Sequence, residues 1–526
     1  MSLASPTPPS PQKTWTLRPN ADSRLDWLAG WLLAAAAAVL TTRPFWPGQW
    51  ARHPWMTWVR DDFFYYLAIA RNLAQGHGST FDRLTPTNGY HPLWLLLLAG
   101  ICHISTAPHF LIAWIALTCF VATLATYACA IAILRRCGII GALRPLLAAY
   151  VALNSLDLFF YGMEVTLAIP LALLLIAALL HVGAERGWAW WLGVGLLVSA
   201  LGLARLDSLI FIVLLGAASL SVPQVRAALW PRSALAFVTG LLPLLGYFLN
   251  SRLIFGLWLP VSGTAKQLRS GHAPSLEVWA SVLNAPRFAL LNLLVVLAGV
   301  AVLPFAWKKL RAVERSILSA ALLFPFVFVL ILSMRTDWEM WPWYAWVWRP
   351  ALCASLALWF SPRLNLALLR TRRVQAFAAA VVLVRLATIA WPPGQLDFYQ
   401  AAIEVRNFAV THPGVYAMGD RAGMIAYLLP YPLVQTEGLV MDRAFLVHIR
   451  RRDNLWQTLG LYNVRYYIGS SWESAPSYRN GCYYAVEPVE AGAESPHMQG
   501  KLCQPPLLRV KHNGVETMIF ALQRIP

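Results

Sequence analysis

Arg60-Asp61-Asp62-Phe63-Phe64-Tyr65-Tyr66, continued downstream by Thr87-Asn88-Gly89-Tyr90-His91-Pro92-Leu93-Trp94, decides how the rest of the chain is read. Two adjacent carboxylates follow a first apolar run, Leu25 to Thr42, in a chain that uses charge sparingly. Phe63, Tyr66, Leu67, Ala70 and Ala74 recur at helical spacing while Arg71, Asn72 and Gln75 fall elsewhere. The pattern predicts an interface-lying helix, ended by Gly76, with the Asp pair at its N-terminus. One Asp there would serve as a helix cap. A pair at a membrane face doubles the desolvation cost unless a cation or substrate answers it, so the pair also reads as chemistry.

Composition points to a membrane independently. Of 526 residues, 58% are hydrophobic and 13% charged, the mean hydropathy is +0.54, and apolar runs near bilayer length recur along the chain. The net charge of +18 raises nucleic acid as a partner. However, Lys and Arg lie mostly between the apolar runs, where cytoplasmic loops collect them, so the charge reads as topology and no nucleic acid is expected.

The expected fold is a polytopic α-helical membrane protein with a C-terminal extracytoplasmic α/β domain. Residues 1–24, rich in Pro and Ser, read as a disordered cytoplasmic tail. Spans are expected at 25–42, 110–134, 143–158, 165–182, 188–204, 206–222, 234–255, 287–307, 315–334, 342–360 and 374–391, eleven in all, within a catalytic unit of residues 25–391. Residues 92–105 are apolar but short. If they crossed, Arg135, Arg136 and Arg144 would lie outside, so they read as re-entrant or interfacial within a first outward loop of 43–109. Arg186 beside Glu185, Arg226, Arg232, Lys308, Lys309, Arg311, Arg315, Arg363, Arg370, Arg372 and Arg373 then fall inside.

Residues 392–526 fall outside. After Trp391-Pro392-Pro393-Gly394, apolar runs at 414–418 and 464–468 read as strands, and 400–410 and 442–459 as helices. Gly419-Asp420-Arg421-Ala422-Gly423 stands where a helix N-terminus binds an anion, but its spacing matches no nucleotide loop and a structural turn is the plainer reading. Cys102, Cys119, Cys129, Cys137 and Cys353 sit in or beside apolar spans without metal-ligand spacing. Cys482 and Cys503 lie in the exported part, where a disulfide is expected.

Polar residues on the Asp61 side of the membrane are the other candidates. Glu164 at the mouth of a span, the Arg205 and Asp207 pair, and Lys266 after Pro260 each have a plain alternative: a helix cap, a mutual ion pair and a snorkelling lysine. Tyr344 and Arg349 follow an aromatic stretch that equally suits an interfacial belt.

At residues 60–94 the chain resembles bacterial GT-C glycosyltransferases, the protein mannosyltransferase-like and aminoarabinose transferase-like enzymes. The resemblance rests on Asp-Asp-x-x-Tyr-Tyr, on Gly76-His77-Gly78-Ser79-Thr80-Phe81-Asp82 and on Thr87 to Trp94. Gly-x-Glu, Arg-x-Asp and Pro-x-Ser fragments further on extend it. It implies a transferase in the bacterial cytoplasmic membrane, moving a sugar from a polyprenyl-phosphate donor to a lipid, glycan or protein acceptor on the outer face. Asp61 would be the general base of an inverting displacement. Asp62 would orient the acceptor or, with Glu164, hold a divalent cation such as Mg or Mn. Tyr65, Arg71, Asn88, His91, Glu164, Arg205, Asp207, Lys266, Tyr344 and Arg349 would bind substrate, with Arg205 and Lys266 on phosphate oxygens. The alternatives are a transporter or flippase for a lipid-linked sugar, which would show matched, interrupted halves, and an oligosaccharyltransferase-like enzyme.

Overall fold

The computed structural model describes residues 21–182, 186–228, 231–271, 273–283, 287–364, 371–391, 394–471 and 476–522. Residues 1–20 of the expected tail, Glu185, Arg370 and the Pro392-Pro393 break lie outside the described residues, and residues 21 to 24 already belong to the first helix.

Each expected span is helical: Ala21–Thr41, Pro108–Arg136, Leu143–Phe159, Val165–Leu180, Trp188–Ala204, Leu209–Leu220, Pro231–Gly240 with Leu242–Phe255, Arg287–Ala306, Ala312–Arg335, Trp348–Trp359 and Arg372–Thr388. Four helices, Asp22–Thr41, Pro108–Arg136, Pro231–Phe255 and Ala312–Arg335, are long and apolar enough by themselves to cross a bilayer. The span expected at 342–360 is shorter than its apolar run. Its first part is a 3-10 turn, Pro342–Val347, which carries Trp343 and Tyr344 into the site described below. Large apolar side chains such as Trp31, Leu235, Leu253 and Phe377 stay exposed along the helices. Water would oppose that surface and hydrocarbon accepts it, so this is a multi-pass membrane protein.

The charged connections separate to two ends. At one, Arg144 donates to both oxygens of Asp26 (2.9 and 2.6 Å), which also takes Arg135 at 2.9 Å. Arg311 donates to the Arg136 carbonyl (3.1 Å), and Arg311 and Arg363 both pair with Glu314. These are the connections that the positive-inside rule gathers on one face.

The first loop lies at the other end. Asp61–Ala74 is helical, Gly76 takes the left-handed φ of 80° that only glycine adopts cheaply, and Pro92–Ile104 is a separate helix. Two expectations fail here. The helix is buried on most sides, Phe63, Phe64, Leu67, Ile69, Ala70 and Asn72 included: the first loop itself covers Asn72 through the Thr80 and Phe81 carbonyls, Arg71 meets Tyr427 of the C-terminal domain, and Gln75 stays exposed. Nor does either Asp cap it: Arg60 holds the cap position, and its side chain makes no capping bond. The following motif is scaffold. Asn72 donates to the carbonyls of Thr80 and Phe81 (2.9 and 3.1 Å) and Asp82 closes a turn over Leu84 and Thr85.

The C-terminal domain is α/β. β1 (Val415–Met418) lies parallel to both β2 (Leu433–Gln435) and β3 (Val464–Ser471), while β8 (Val515–Ala521) runs antiparallel to β3 and β7 (Leu508–His512), giving the order β2-β1-β3-β8-β7. β4 (Ser477–Arg479), β5 (Cys482–Glu487) and β6 (Met498–Leu502) form a second, antiparallel sheet, and Cys482 is bonded to Cys503 as expected. The helix expected over 442–459 is two, Arg443–Arg451 and Leu455–Leu461. Arg452 turns left-handed at φ 58° and the Asn454 side chain caps the second helix through the amides of Trp456 and Gln457, which stops one helix from running through.

The domain is fastened to the first loop. Trp391 donates from Nε1 to the Trp58 carbonyl (2.6 Å) and stacks on Phe160 at 4.9 Å. Thr87 donates to the Met441 carbonyl (2.9 Å), and a Cβ on Gly89 would stand 2.0 Å from the Leu439 carbonyl oxygen, so only glycine allows that approach.

Candidate active site

The site forms where the first loop, the helix ends on its side of the bundle and the C-terminal domain meet. Gly162 (φ 72°) makes the turn that sets Glu164 beneath the loop, and a Cβ there would press on Phe63 and Val59 at 3.1 and 3.2 Å. Glu164 is buried and accepts from Arg205 Nη1 at 2.6 Å, and Arg205 also grips Asp207 through Nε (2.8 Å) and Nη2 (2.6 Å). The Arg205 guanidinium stands 5.1 Å from the Tyr344 ring centroid. The plain reading of the Arg205 and Asp207 pair therefore holds, and Glu164 joins it. With two carboxylates on one guanidinium, the cluster is not a free cation waiting for phosphate. Glu164 Oε2 has no hydrogen-bond partner among the described residues. His91 Nδ1 accepts from the Leu206 amide (3.1 Å), leaving Nε2 turned to Glu164 at 3.9 Å, and burial lowers its pKa, which keeps it neutral.

Lys266 is held differently. It makes no ion pair among the described residues, approaches the Tyr344 hydroxyl at 3.4 Å and lies 5.3 Å from the Trp338 ring centroid. It lines a cavity of about 320 Å³ together with Asp62, His91, Glu164, Arg205 and Tyr344. Ile210, Leu259, Phe328, Ile331 and Leu332 line it with apolar side chains, and Arg335 lines it as well.

A second cavity, about 380 Å³, lies between the first loop and the C-terminal domain and is lined by Asp61, Asp62, Trp341, Asp420, Glu437 and Glu490, among others. Asp62 and Tyr65 line both cavities. Burial pushes the Asp62 pKa up to about 6, with Lys266 opposing the rise and Asp420 adding to it.

Asp61 is placed otherwise. Its two carboxylate oxygens accept the backbone N–H groups of Gly423 (2.9 Å) and Met424 (2.7 Å), at the start of the Ala422–Leu428 helix. The Gly419 to Gly423 stretch thus meets a carboxyl group of the chain's own, and burial pushes the Asp61 pKa up to about 7 although the Met424 and Gly423 amides oppose the rise. Tyr65 assists, its hydroxyl accepting the Ala422 amide at 3.0 Å.

Three further candidates are held by contacts within the chain. Arg71 donates to the Tyr427 carbonyl (3.0 Å) with its guanidinium 4.4 Å from the centroid of that ring. Asn88 donates to Ser251 (2.8 Å) and accepts the Val261 amide (2.9 Å), fixing the loop that presents Lys266. Arg349 pairs with Asp157 at 3.6 Å and lines neither cavity. Asp62 and Glu164, the pair expected for a divalent cation, both line the first cavity, with Arg205 on Glu164, and no group of three or more His, Cys, Asp or Glu is placed to hold a metal among the described residues. The sequence reading missed Arg335, Asp420, Glu437 and Glu490.

No protein-family model and no curated protein matches the chain. Solved structures do. ArnT from Cupriavidus metallidurans in the apo state is 14% identical with a TM-score of 0.50, over 95% of this chain and 99% of that one. The same protein bound to undecaprenyl phosphate gives 12% and 0.51, over 85% and 92%. The apo oligosaccharyltransferase of Archaeoglobus fulgidus gives 12% and 0.49, over 84% and 69%. The two ArnT structures cover 95% and 85% of this chain, so this chain has their fold, as the resemblance at residues 60–94 led us to expect.

Proposed function

We propose that this protein is a glycosyltransferase that moves one sugar from a polyprenyl-phosphate carrier to an acceptor hydroxyl at the outer face of the cytoplasmic membrane, with Asp62 as general base. The observation that carries the reading is the position of Asp62 on the wall common to two cavities of opposite character. The first offers Lys266 and Arg335 beside apolar side chains, as a phosphate on a hydrocarbon tail requires. The undecaprenyl phosphate bound by the ArnT structure of the same fold supports that choice of donor.

In the proposed step, the Asp62 carboxylate takes the proton of the acceptor hydroxyl as its oxygen attacks the anomeric carbon from the second cavity. The bond from that carbon to the phosphate oxygen breaks, and its electron pair leaves with the phosphate. Lys266 and Arg335 stabilise the charge that grows there. Attack and departure on opposite faces invert the anomeric centre. The unpartnered Glu164 Oε2 would accept a hydroxyl of the transferred sugar. Asp61, expected from the resemblance to be the base, becomes in this proposal the clasp that closes the C-terminal domain over the reaction. No step is assigned to a metal.

Purified protein given a radiolabelled undecaprenyl-phosphate sugar and a membrane-glycan extract should release undecaprenyl phosphate and label the extract. A labelled lipid that crosses the bilayer chemically unchanged would instead mark a flippase. The orientation has its own check. A reporter inserted beside Arg136 should be active only inside the cell, and one following residue 522 only outside.

A further inference from the structure

We propose that the second cavity selects an acceptor carrying a primary ammonium group, an amino-sugar residue, whose charge is held by Glu437, Glu490 and Asp420 while a neighbouring hydroxyl meets Asp62. The inference deepens the transferase reading and rests on it.

The walls of this cavity are unlike those of the donor side. Carboxyl groups reach it from three separate segments of the C-terminal domain, Asp420, Glu437 and Glu490, and face Asp62 from the first loop. The cations at its edge are otherwise engaged: Arg421 Nε lies 3.0 Å from Asp420, and the Arg60 guanidinium lies 5.2 Å from the Tyr161 ring centroid. Negative charge therefore exceeds positive in a closed space, an arrangement that needs a ligand or protons to be stable.

The acceptors are also short of donors. Glu437 is 2% exposed and its Oε1 is buried with no hydrogen-bond partner among the described residues, while Oε2 accepts from Gln435 at 3.0 Å and the Glu490 backbone approaches the carboxyl. Gln395 Oε1, on the same cavity, is likewise buried with no partner among the described residues. An ammonium brings three donors and the missing charge at once, whereas neutral hydroxyls bring donors alone. Without it, burial and the neighbouring carboxylates push the Glu490 pKa up to about 8, so that this group holds a proton near neutrality.

Size and shape favour a sugar over a bare ion. The carboxyls line about 380 Å³, with Asp420 and Glu490 within side-chain hydrogen-bond reach of each other, and no metal-holding group of three forms among the described residues. Trp341 and Trp343 stack in parallel, 4° apart, along the same wall, and Trp341 Nε1 donates to Glu490 at 3.1 Å. A flat aromatic wall beside carboxylates suits the apolar face and polar edge of a pyranose.

The test is calorimetric binding at pH 7 to the purified full chain in lipid nanodiscs, without donor, so that it does not depend on sugar transfer. Methyl glucosaminide should bind at least about tenfold more tightly than methyl glucoside or methyl N-acetylglucosaminide. Glu437→Gln and Glu490→Gln should each remove most of that preference while leaving the weak neutral binding. Equal affinity for the three sugars, or binding of none, would overturn the proposal even if transfer from a lipid-phosphate donor were established. So would saturable Mn²⁺ binding abolished by the same two substitutions, which would make the cavity a metal site.

Discussion

Asp61 and Gly423 are 362 positions apart in sequence, yet the carboxylate of one accepts the amide of the other at 2.9 Å. That bond and its Met424 companion join the membrane part of the chain to its C-terminal domain directly above the two cavities. A Cβ on residue 423 would lie 2.4 Å from the Asp61 carbonyl oxygen and 2.9 Å from Oδ2. The nearest of these atoms is backbone, which leaves little room to yield. Gly423→Ala should therefore loosen the domain, at a cost of about 1 to 3 kcal/mol, and limited proteolysis should release it faster than from the wild type. An unchanged cleavage rate would mean the clasp does not hold the domain down.

The pH dependence of transfer should report Asp62. A general base works when deprotonated, so turnover should rise through about pH 6 and level off above it. Lys266 lowers that pKa, so Lys266→Ala should move the rise to higher pH as well as weaken donor binding. A rise that stays in place in Lys266→Ala would exclude Asp62 as the titrating group.

Stability should depend on pH in the sense opposite to an ordinary ion-paired carboxylate. Burial holds Glu487 near pH 7 and Glu490 near pH 8, both above the 4.5 of the free side chain. Between the unfolded and folded values the folded protein binds more protons, so its stability falls as pH rises from about 4.5 to about 8. Melting temperatures of the unliganded protein should follow that slope, and Glu490→Gln should flatten its upper part. A rising melting temperature over the same range would contradict the burial of these groups.

The Cys482 and Cys503 bond closes a loop with a sequence separation of 21. Chain-entropy reasoning gives such a loop about 3 kcal/mol of stabilisation. Replacing both cysteines by Ser should lower the melting temperature of the C-terminal domain, and thiol labelling of the unfolded wild type should rise at both positions only after reduction. Full labelling without reductant would rule the bond out.

How much of this was legible in the sequence depended on the range of the interactions. Apolar periodicity marked the helices and the first loop because span length and the positive-inside bias are local quantities, and the composition change after Trp391 marked the α/β domain. The sequence also brought Glu164, Arg205, Asp207, Lys266 and Tyr344 forward as charged or aromatic residues at helix mouths, and the structure gathers all five around one cavity. Only the resemblance separated Asp61, as base, from Asp62; the residues around them did not. Their local environments look alike in one dimension, and the difference is made by amides in the other domain. Asp420, Glu437 and Glu490 were missed for the same reason: each is an unremarkable acid in its own segment, and only the docking of the domain turns them on a common space. Arg349 went the other way, since its place at a helix start suggested substrate and the structure gives it Asp157.

The most direct test of the central claim is sugar transfer from a radiolabelled undecaprenyl-phosphate donor by purified Asp62→Asn and Asp61→Asn proteins compared with the wild type. An amide cannot take up the proton, so Asp62→Asn should fold normally and lose about 100- to 10,000-fold in turnover. Asp61→Asn keeps a side-chain oxygen for one of the two amides, so it should lose about 1 kcal/mol of stability and retain readily measured transfer. Near-normal turnover by Asp62→Asn, with Asp61→Asn folded but inactive, would contradict the account and return the base to Asp61.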